Sequence, residues 1–240
     1  MRGLLHGWGW GCEGKLSAMK LIGAHKFKLV SSSILPLLIA LLPSTAKALP
    51  DLTINISRAL MTIDYNFRSF SPDECAVQEG CIFSAGVRKL LRIDVGIINV
   101  GASDLAIGDP SARPDIFYWS PCHAHYHLKG LANYRLLTLD GRQVARAYKQ
   151  GFCVRDDHPK MSYAVEGKFT CNFQGLSRGW QDVYDQSLDC QWVDISGVPG
   201  GTYNLEIVIN PNRLFAESNY KNNKVVLRVY VPRNTNISYY

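Results

Sequence analysis

The feature that most restricts how this chain can fold is a two-residue alternation of apolar and polar side chains, unopposed by any helical period of useful length. Leu91, Ile93, Val95 and Ile97 alternate with Arg92, Asp94 and Gly96, and Tyr203, Leu205, Ile207 and Ile209 alternate with Asn204, Glu206 and Asn210. Successive side chains of an extended chain point to opposite faces, so each set describes a half-buried strand. Val225, Leu227, Val229 and Val231 form a third set, and the turn-rich stretch from Glu217 to Asn223 before them predicts a closing hairpin. Asp140-Gly141, between Tyr134–Leu139 and Val144–Tyr148, carries the strongest hairpin signal, because its residues tolerate the positive φ of a tight turn. The expected fold is all-β: a single antiparallel β-sandwich-like domain with long irregular loops, notably residues 153 to 190.

Cysteine usage adds a covalent constraint. Lys20, Lys26 and Lys28 precede an apolar run from Leu29 to Leu42 and then Ala46-Lys47-Ala48, the pattern of an export signal. Residues 1–48 are therefore expected to be a signal peptide and leader, and 49–240 the mature domain. The apolar run is interrupted by serines and proline and is too short to span hydrocarbon, so no stable membrane anchor is expected. Removing the leader removes Cys12 and leaves Cys75, Cys81, Cys122, Cys153, Cys171 and Cys190. An even set in an exported chain predicts three disulfides and a secreted protein, extracellular or periplasmic. Zinc is the competing use, but no C-x-x-C pair is present. Arithmetic alone leaves the connectivity open.

The net charge of +6 suggests a nucleic-acid partner until it is located. Arg2, Lys15, Lys20, Lys26, Lys28 and Lys47 all lie in the leader against a single acid, Glu13, so the mature part is close to neutral. Charge gives no reason to expect nucleic acid.

Three of the four histidines beyond the leader stand in Cys122-His123-Ala124-His125-Tyr126-His127. In a strand, this spacing sends His123, His125 and His127 to one face. Three adjacent core imidazoles would each need a partner once desolvated, so metal ligation is the natural account. Alternate residues on a flat strand stand roughly 6.5 to 7 Å apart, so the segment must bend or bulge for three ligand atoms to converge. Imidazoles suit copper or zinc, and copper has the higher intrinsic affinity. A zinc hydrolase remains an alternative at this level.

The run Trp119-Ser120-Pro121-Cys122-His123-Ala124-His125-Tyr126-His127, followed by Tyr134-Arg135-Leu136-Leu137, resembles the copper-binding segment of the lysyl oxidase family. Matches continue in order through Lys149-Gln150-Gly151-Phe152-Cys153, Phe169-Thr170-Cys171, Gln174-Gly175-Leu176-Ser177, Asp182-Val183-Tyr184, Asp189–Ile195, Asn210-Pro211 and Glu217–Asn223. The resemblance covers nearly all of residues 49 to 225.

It implies a copper-dependent amine oxidase that deaminates primary amines, including peptidyl lysine, to aldehydes with release of ammonia and hydrogen peroxide. Copper would be bound by His123, His125 and His127. The family's second cofactor, lysyl tyrosylquinone, is made from a lysine and a tyrosine at the positions of Lys149 and Tyr184. A quinone is needed because no ordinary side chain offers a carbonyl that captures a primary amine as a Schiff base. Asp182, two residues before Tyr184, is the candidate base for the substrate proton; its alternative role is to orient a neighbouring group. Lys149, beyond the Asp140-Gly141 hairpin, should fold back toward the histidines, and Tyr184 should lie on a long loop able to carry its ring. The rival reading is an exported copper-binding or adhesion module without turnover, which would need the histidines but neither Lys149 nor Tyr184.

Three departures accompany the resemblance. Ser120 stands where animal members have an additional histidine, Trp180 replaces a cysteine, and the cysteine expected soon after Cys153 is absent. The resemblance implies pairing of Cys75 with Cys81 and of Cys122 with Cys171, and Cys153 and Cys190, having lost the partners seen in animal members, are then expected to pair with each other.

Overall fold

The computed structural model describes residues 47–147 and 152–233. The leader through residue 46, and Lys149 within residues 148–151, lie outside the described residues. No helix among them is long and apolar enough to cross a membrane.

The fold is all-β and antiparallel, divided among several small sheets. The largest continuous pairing is the expected closing hairpin, Gly201–Ile209 against Lys224–Val231, in register from Gly201↔Val231 to Val208↔Lys224. On its other edge Gly201–Ile209 pairs with Ala132–Leu137, which turns through Asp140 and Gly141 (φ 91°) into Gln143–Arg146. The alternation does its work here: Leu205, Ile207 and Ile209 are fully buried, beside Tyr134 and Leu136. Each such side chain contributes roughly 1.5–3 kcal/mol relative to exposure.

A second four-stranded sheet runs Leu52–Ile54, Val95–Asn99, Trp180–Tyr184 and His158–Pro159. A three-stranded sheet joins Trp192–Asp194, Gly86–Arg92 and Asp64–Phe70. The alternating segment 91 to 97 thus belongs to two sheets, broken at Ile93 and Asp94. The break has a chemical cause. The Asp94 backbone N–H donates to Thr62 Oγ1 at 2.9 Å and not to a neighbouring strand, while its buried carboxylate accepts from Gln186 N at 2.7 Å and pairs with Arg58 Nη2 at 2.7 Å. Both faces of this segment are covered, because Arg92 is also buried, with its guanidinium 4.6 Å from the Trp192 ring centre.

Residues 153 to 190 are less irregular than expected. They contain His158–Pro159, Gln174–Leu176 and Trp180–Tyr184, so Asp182 and Tyr184 lie on a central strand paired to Val95–Asn99, with Tyr184 opposite Val95, and not on a long loop. Gln181 and Asp182 are buried polar neighbours, which hides the two-residue period. Gly96 makes room for this strand: a Cβ there would stand 2.9 Å from Gln181 Cδ.

All three expected disulfide pairs are corrected. Cys75 bonds Cys122, Cys81 bonds Cys190, and Cys153 bonds Cys171. Cys75 and Cys81 part company because a short helix, Cys75–Gln78, ends between them in a tight turn. Gly80 (φ 73°) donates to Val77 O at 3.1 Å, and Cys81 N donates to Ala76 O at 2.8 Å. That is a Schellman closure, and its left-handed residue is glycine for lack of a Cβ. Cys81 then enters a small second core with Phe70, Ala76, Ile82, Leu90, Cys190 and Trp192. Cys75 stays at the surface of that core and reaches Cys122, next to the first histidine.

Candidate metal and amine site

The histidine segment is half turn and half strand. Phe117–Ser120 and His125–Leu128 form a two-stranded ribbon with Ser120 opposite His125 and Tyr118 opposite His127. His123 precedes the second strand, in a turn whose Ala124 has φ 52°. This is the bend that a straight strand lacked. A left-handed alanine is disfavoured by about 1 kcal/mol or more, so the surrounding structure must hold it. The three rings gather as a result: centroids lie 5.7 Å apart for His123 and His125, 5.3 Å for His123 and His127, and 4.6 Å for the stacked pair His125 and His127. His127 is buried, whereas His125 is exposed and its Nδ1 donates to His123 O at 2.8 Å. That bond directs the other nitrogen, Nε2, to serve as the ligand atom.

Sequence reasoning missed one member of this cluster. Glu79 Oε1 lies 3.1 Å from His123 Nδ1, and ligand atoms of Glu79, His123 and His127 all lie within 4.8 Å of one another. Its available signal was the Glu-Gly pair immediately before Cys81. Nothing in the linear sequence links that pair to residue 123; the link is the Cys75–Cys122 disulfide.

The histidines form one wall of a cavity of about 650 Å³. Tyr184, Asp182 and Phe152 line the same cavity, and Trp119, Tyr126 and Leu188 supply apolar surface. Tyr184 is buried, its ring centroid 5.2 Å from that of Phe152, and its hydroxyl donates to Asp182 Oδ2 at 2.5 Å. Burial pushes the Asp182 carboxyl well above the usual carboxylate range; the Tyr184 hydrogen bond opposes this and the neighbouring Asp157 reinforces it. Burial likewise pushes the Tyr184 hydroxyl up, and the Asp182 carboxyl adds to the effect. Both groups therefore hold their protons more tightly than they would in water. Of the residues singled out in the sequence, the structure brings His123, His125, His127, Asp182 and Tyr184 to one cavity, and Lys149 is outside the described residues.

Comparison with known proteins bears on this site. The family model for lysyl oxidase matches residues 52–238. Lysyl oxidase homolog 2 of Gallus gallus is 36% identical over 197 residues, covering 77% of this chain and 25% of the relative. Lysyl oxidase homolog 2 of Homo sapiens is 37% identical over 186 residues, covering 72% and 23%. Lysyl oxidase homolog 4 of Homo sapiens is 35% identical over 191 residues, covering 75% and 25%. The chain spans about a quarter of the length of these relatives.

Proposed function

We propose, from the premise that this chain belongs to the lysyl oxidase family, that it is a copper-dependent amine oxidase acting on primary amines, among them peptidyl lysine. The observation that carries the reading is the meeting of three histidines with Tyr184 and Asp182 around one cavity. The donor set fits copper: three imidazoles gathered by a bent strand, with carboxylates nearby and a cavity wide enough for a further ligand. His123, His125 and His127 would hold the ion, which would supply the redox chemistry for making and reoxidising a lysyl tyrosylquinone formed from Lys149 and Tyr184. The net reaction balances as a primary amine, oxygen and water giving an aldehyde, ammonia and hydrogen peroxide.

The chain's own residues supply the rest. Phe152 packs on Tyr184, and Lys149 lies three residues before it, a span of at most about 11 Å of chain. That reach is compatible with a crosslink between the two side chains. Asp182, in hydrogen-bond contact with Tyr184 Oη, is placed to take a proton from that hydroxyl during maturation and from the substrate carbon during turnover. Once ionised, it is a stronger base than an exposed carboxylate, because burial raises its proton affinity. Trp119, Tyr126 and Leu188 give the cavity an apolar surface against which the carbon chain of an amine can pack.

Export fits the same reading, because three disulfides persist in an oxidising compartment and residues 1–48 have the character of a leader. The test is direct. Protein matured with copper and oxygen should form a coloured adduct with phenylhydrazine and release peroxide from primary amines, and Lys149→Ala or Tyr184→Phe should abolish both. Oxygen-independent ester or peptide hydrolysis by the metal-loaded protein, with no peroxide, would replace this reading with a hydrolase.

A further inference from the structure

We propose that Glu79 is a positioning residue of the metal centre: its carboxylate fixes the tautomer and orientation of His123, and two disulfides hold it there. The inference rests on the histidine cluster being a metal site and extends it to a residue on a different element.

The local chemistry sets the direction of every hydrogen bond. A carboxylate only accepts, so the His123 Nδ1 that lies 3.1 Å from Glu79 Oε1 carries the proton and donates. The Ser120 hydroxyl also donates to Glu79 Oε1, and in return accepts from the His123 backbone N–H at 3.1 Å. Glu79, Ser120 and His123 thus close a three-membered ring of hydrogen bonds around one imidazole. With its proton on Nδ1, His123 presents the lone pair of Nε2, and this is how a carboxylate behind a ligand histidine selects the coordinating nitrogen and raises its basicity. A small hydroxyl at position 120 leaves room for this contact, and Ser120 itself is almost fully buried, at 1% exposure.

Placement of Glu79 is over-determined by the fold. It caps the Cys75–Gln78 helix, and the Gly80 turn directs the chain from it into the small core. The Cys75–Cys122 bond ties the start of that helix to the residue before His123. The Cys81–Cys190 bond ties the other side of Glu79 to the residue after Asp189, whose Oδ2 is 4.0 Å from His123 Nε2. Two covalent links, one on each side in sequence, hold this carboxylate against the histidine turn.

The experiment compares full-length oxidised wild type with Glu79→Ala, Glu79→Gln and Ser120→Ala. Copper(II) affinity is measured by chelator competition, and the copper(II) environment by electron paramagnetic resonance. Glu79→Ala should weaken binding about 10- to 100-fold and alter the spectrum. Glu79→Gln, whose amide oxygen can still accept from Nδ1–H, should recover part of both, and Ser120→Ala should lose less than Glu79→Ala. Free-thiol titration should show all three disulfides intact in each variant. Should Glu79→Ala not fold, the near-isosteric Gln variant decides, since it must still bind more weakly than wild type. Wild-type affinity and spectrum in both Glu79 variants would overturn the inference and leave the metal site standing. Removal of an oxygen ligand from the copper spectrum in both variants would overturn it differently, making Glu79 a direct ligand. A wild type that binds no copper would overturn the metal site itself.

Discussion

The two walls of the cavity are held by different means. The tyrosine wall is the end of a central strand: Asp182 and Tyr184 pair with Ile97 and Val95, are almost fully buried, and depend on ladder bonds and the main core. The histidine wall is a two-stranded ribbon that Phe117 and Leu128 anchor in the core, but its turn, with a left-handed alanine, lies at the surface and depends on Cys75–Cys122, Cys81–Cys190 and the Glu79 contacts. The difference teaches where each wall is vulnerable. A ladder inside a core fails only with the whole domain, whereas a stapled turn can lose its geometry while the sheets persist.

The largest effect should come from cutting a staple. Removing the Cys81–Cys190 bond by a double Cys→Ala substitution frees a closure of 109 residues in sequence and is expected to cost about 2–5 kcal/mol. Removing Cys75–Cys122 instead should reduce copper affinity more than it reduces stability, because that bond holds the turn and little of the core. Thermal unfolding alongside metal competition checks both; equal losses in the two measures for Cys75–Cys122 would erase the distinction between the walls.

A smaller effect belongs to the tyrosine wall. Tyr184→Phe removes the donor to a buried carboxyl and is expected to cost about 1–3 kcal/mol, with copper affinity little changed. Denaturant unfolding of the copper-free protein reads the first half, and chelator competition the second.

Asp182→Asn probes the same wall through pH. The folded-state proton affinity of Asp182 is raised, first by burial, so its contribution to stability is fully present below the ordinary carboxylate range and is lost as pH rises through the folded value. An asparagine does not titrate. The thermal midpoint of Asp182→Asn should therefore gain on wild type as pH rises from about 4, and a variant midpoint that falls relative to wild type over that range would contradict the raised proton affinity of Asp182. The smallest effect is expected at the turn: Ala124→Val places a β-branched side chain at φ 52° and should destabilise by about 1–2 kcal/mol, with a loosened metal site as its more sensitive readout.

How much was legible in the sequence follows the same division. The closing hairpin and the Asp140-Gly141 turn could be read because apolar and polar residues alternate along their strands, even though Glu206 is itself buried, paired with Arg135 and Lys224. The Trp180–Tyr184 strand could not, because Gln181 and Asp182 are both buried by specific polar partners, Gln181 accepting from Asn55 Nδ2 at 2.7 Å. The need for a bend or bulge within the segment of His123, His125 and His127 followed from strand spacing alone, although its location at Ala124 did not. Disulfide pairing failed for a topological reason. The Gly80 turn sends Cys75 and Cys81 to different partners, and no spacing rule contains that information. Glu79 went unseen with it.

The central claim is that Lys149 and Tyr184 join to form the quinone cofactor, and peptide mass spectrometry tests it most directly. Protein produced with copper and oxygen is digested with and without prior phenylhydrazine treatment, and the peptides are sequenced. The account predicts one crosslinked species containing Lys149 and Tyr184, absent from His127→Ala and from protein made without copper. Fully copper-loaded wild type that yields both residues unmodified, in separate peptides, would contradict it and leave a copper-binding member of the family without turnover.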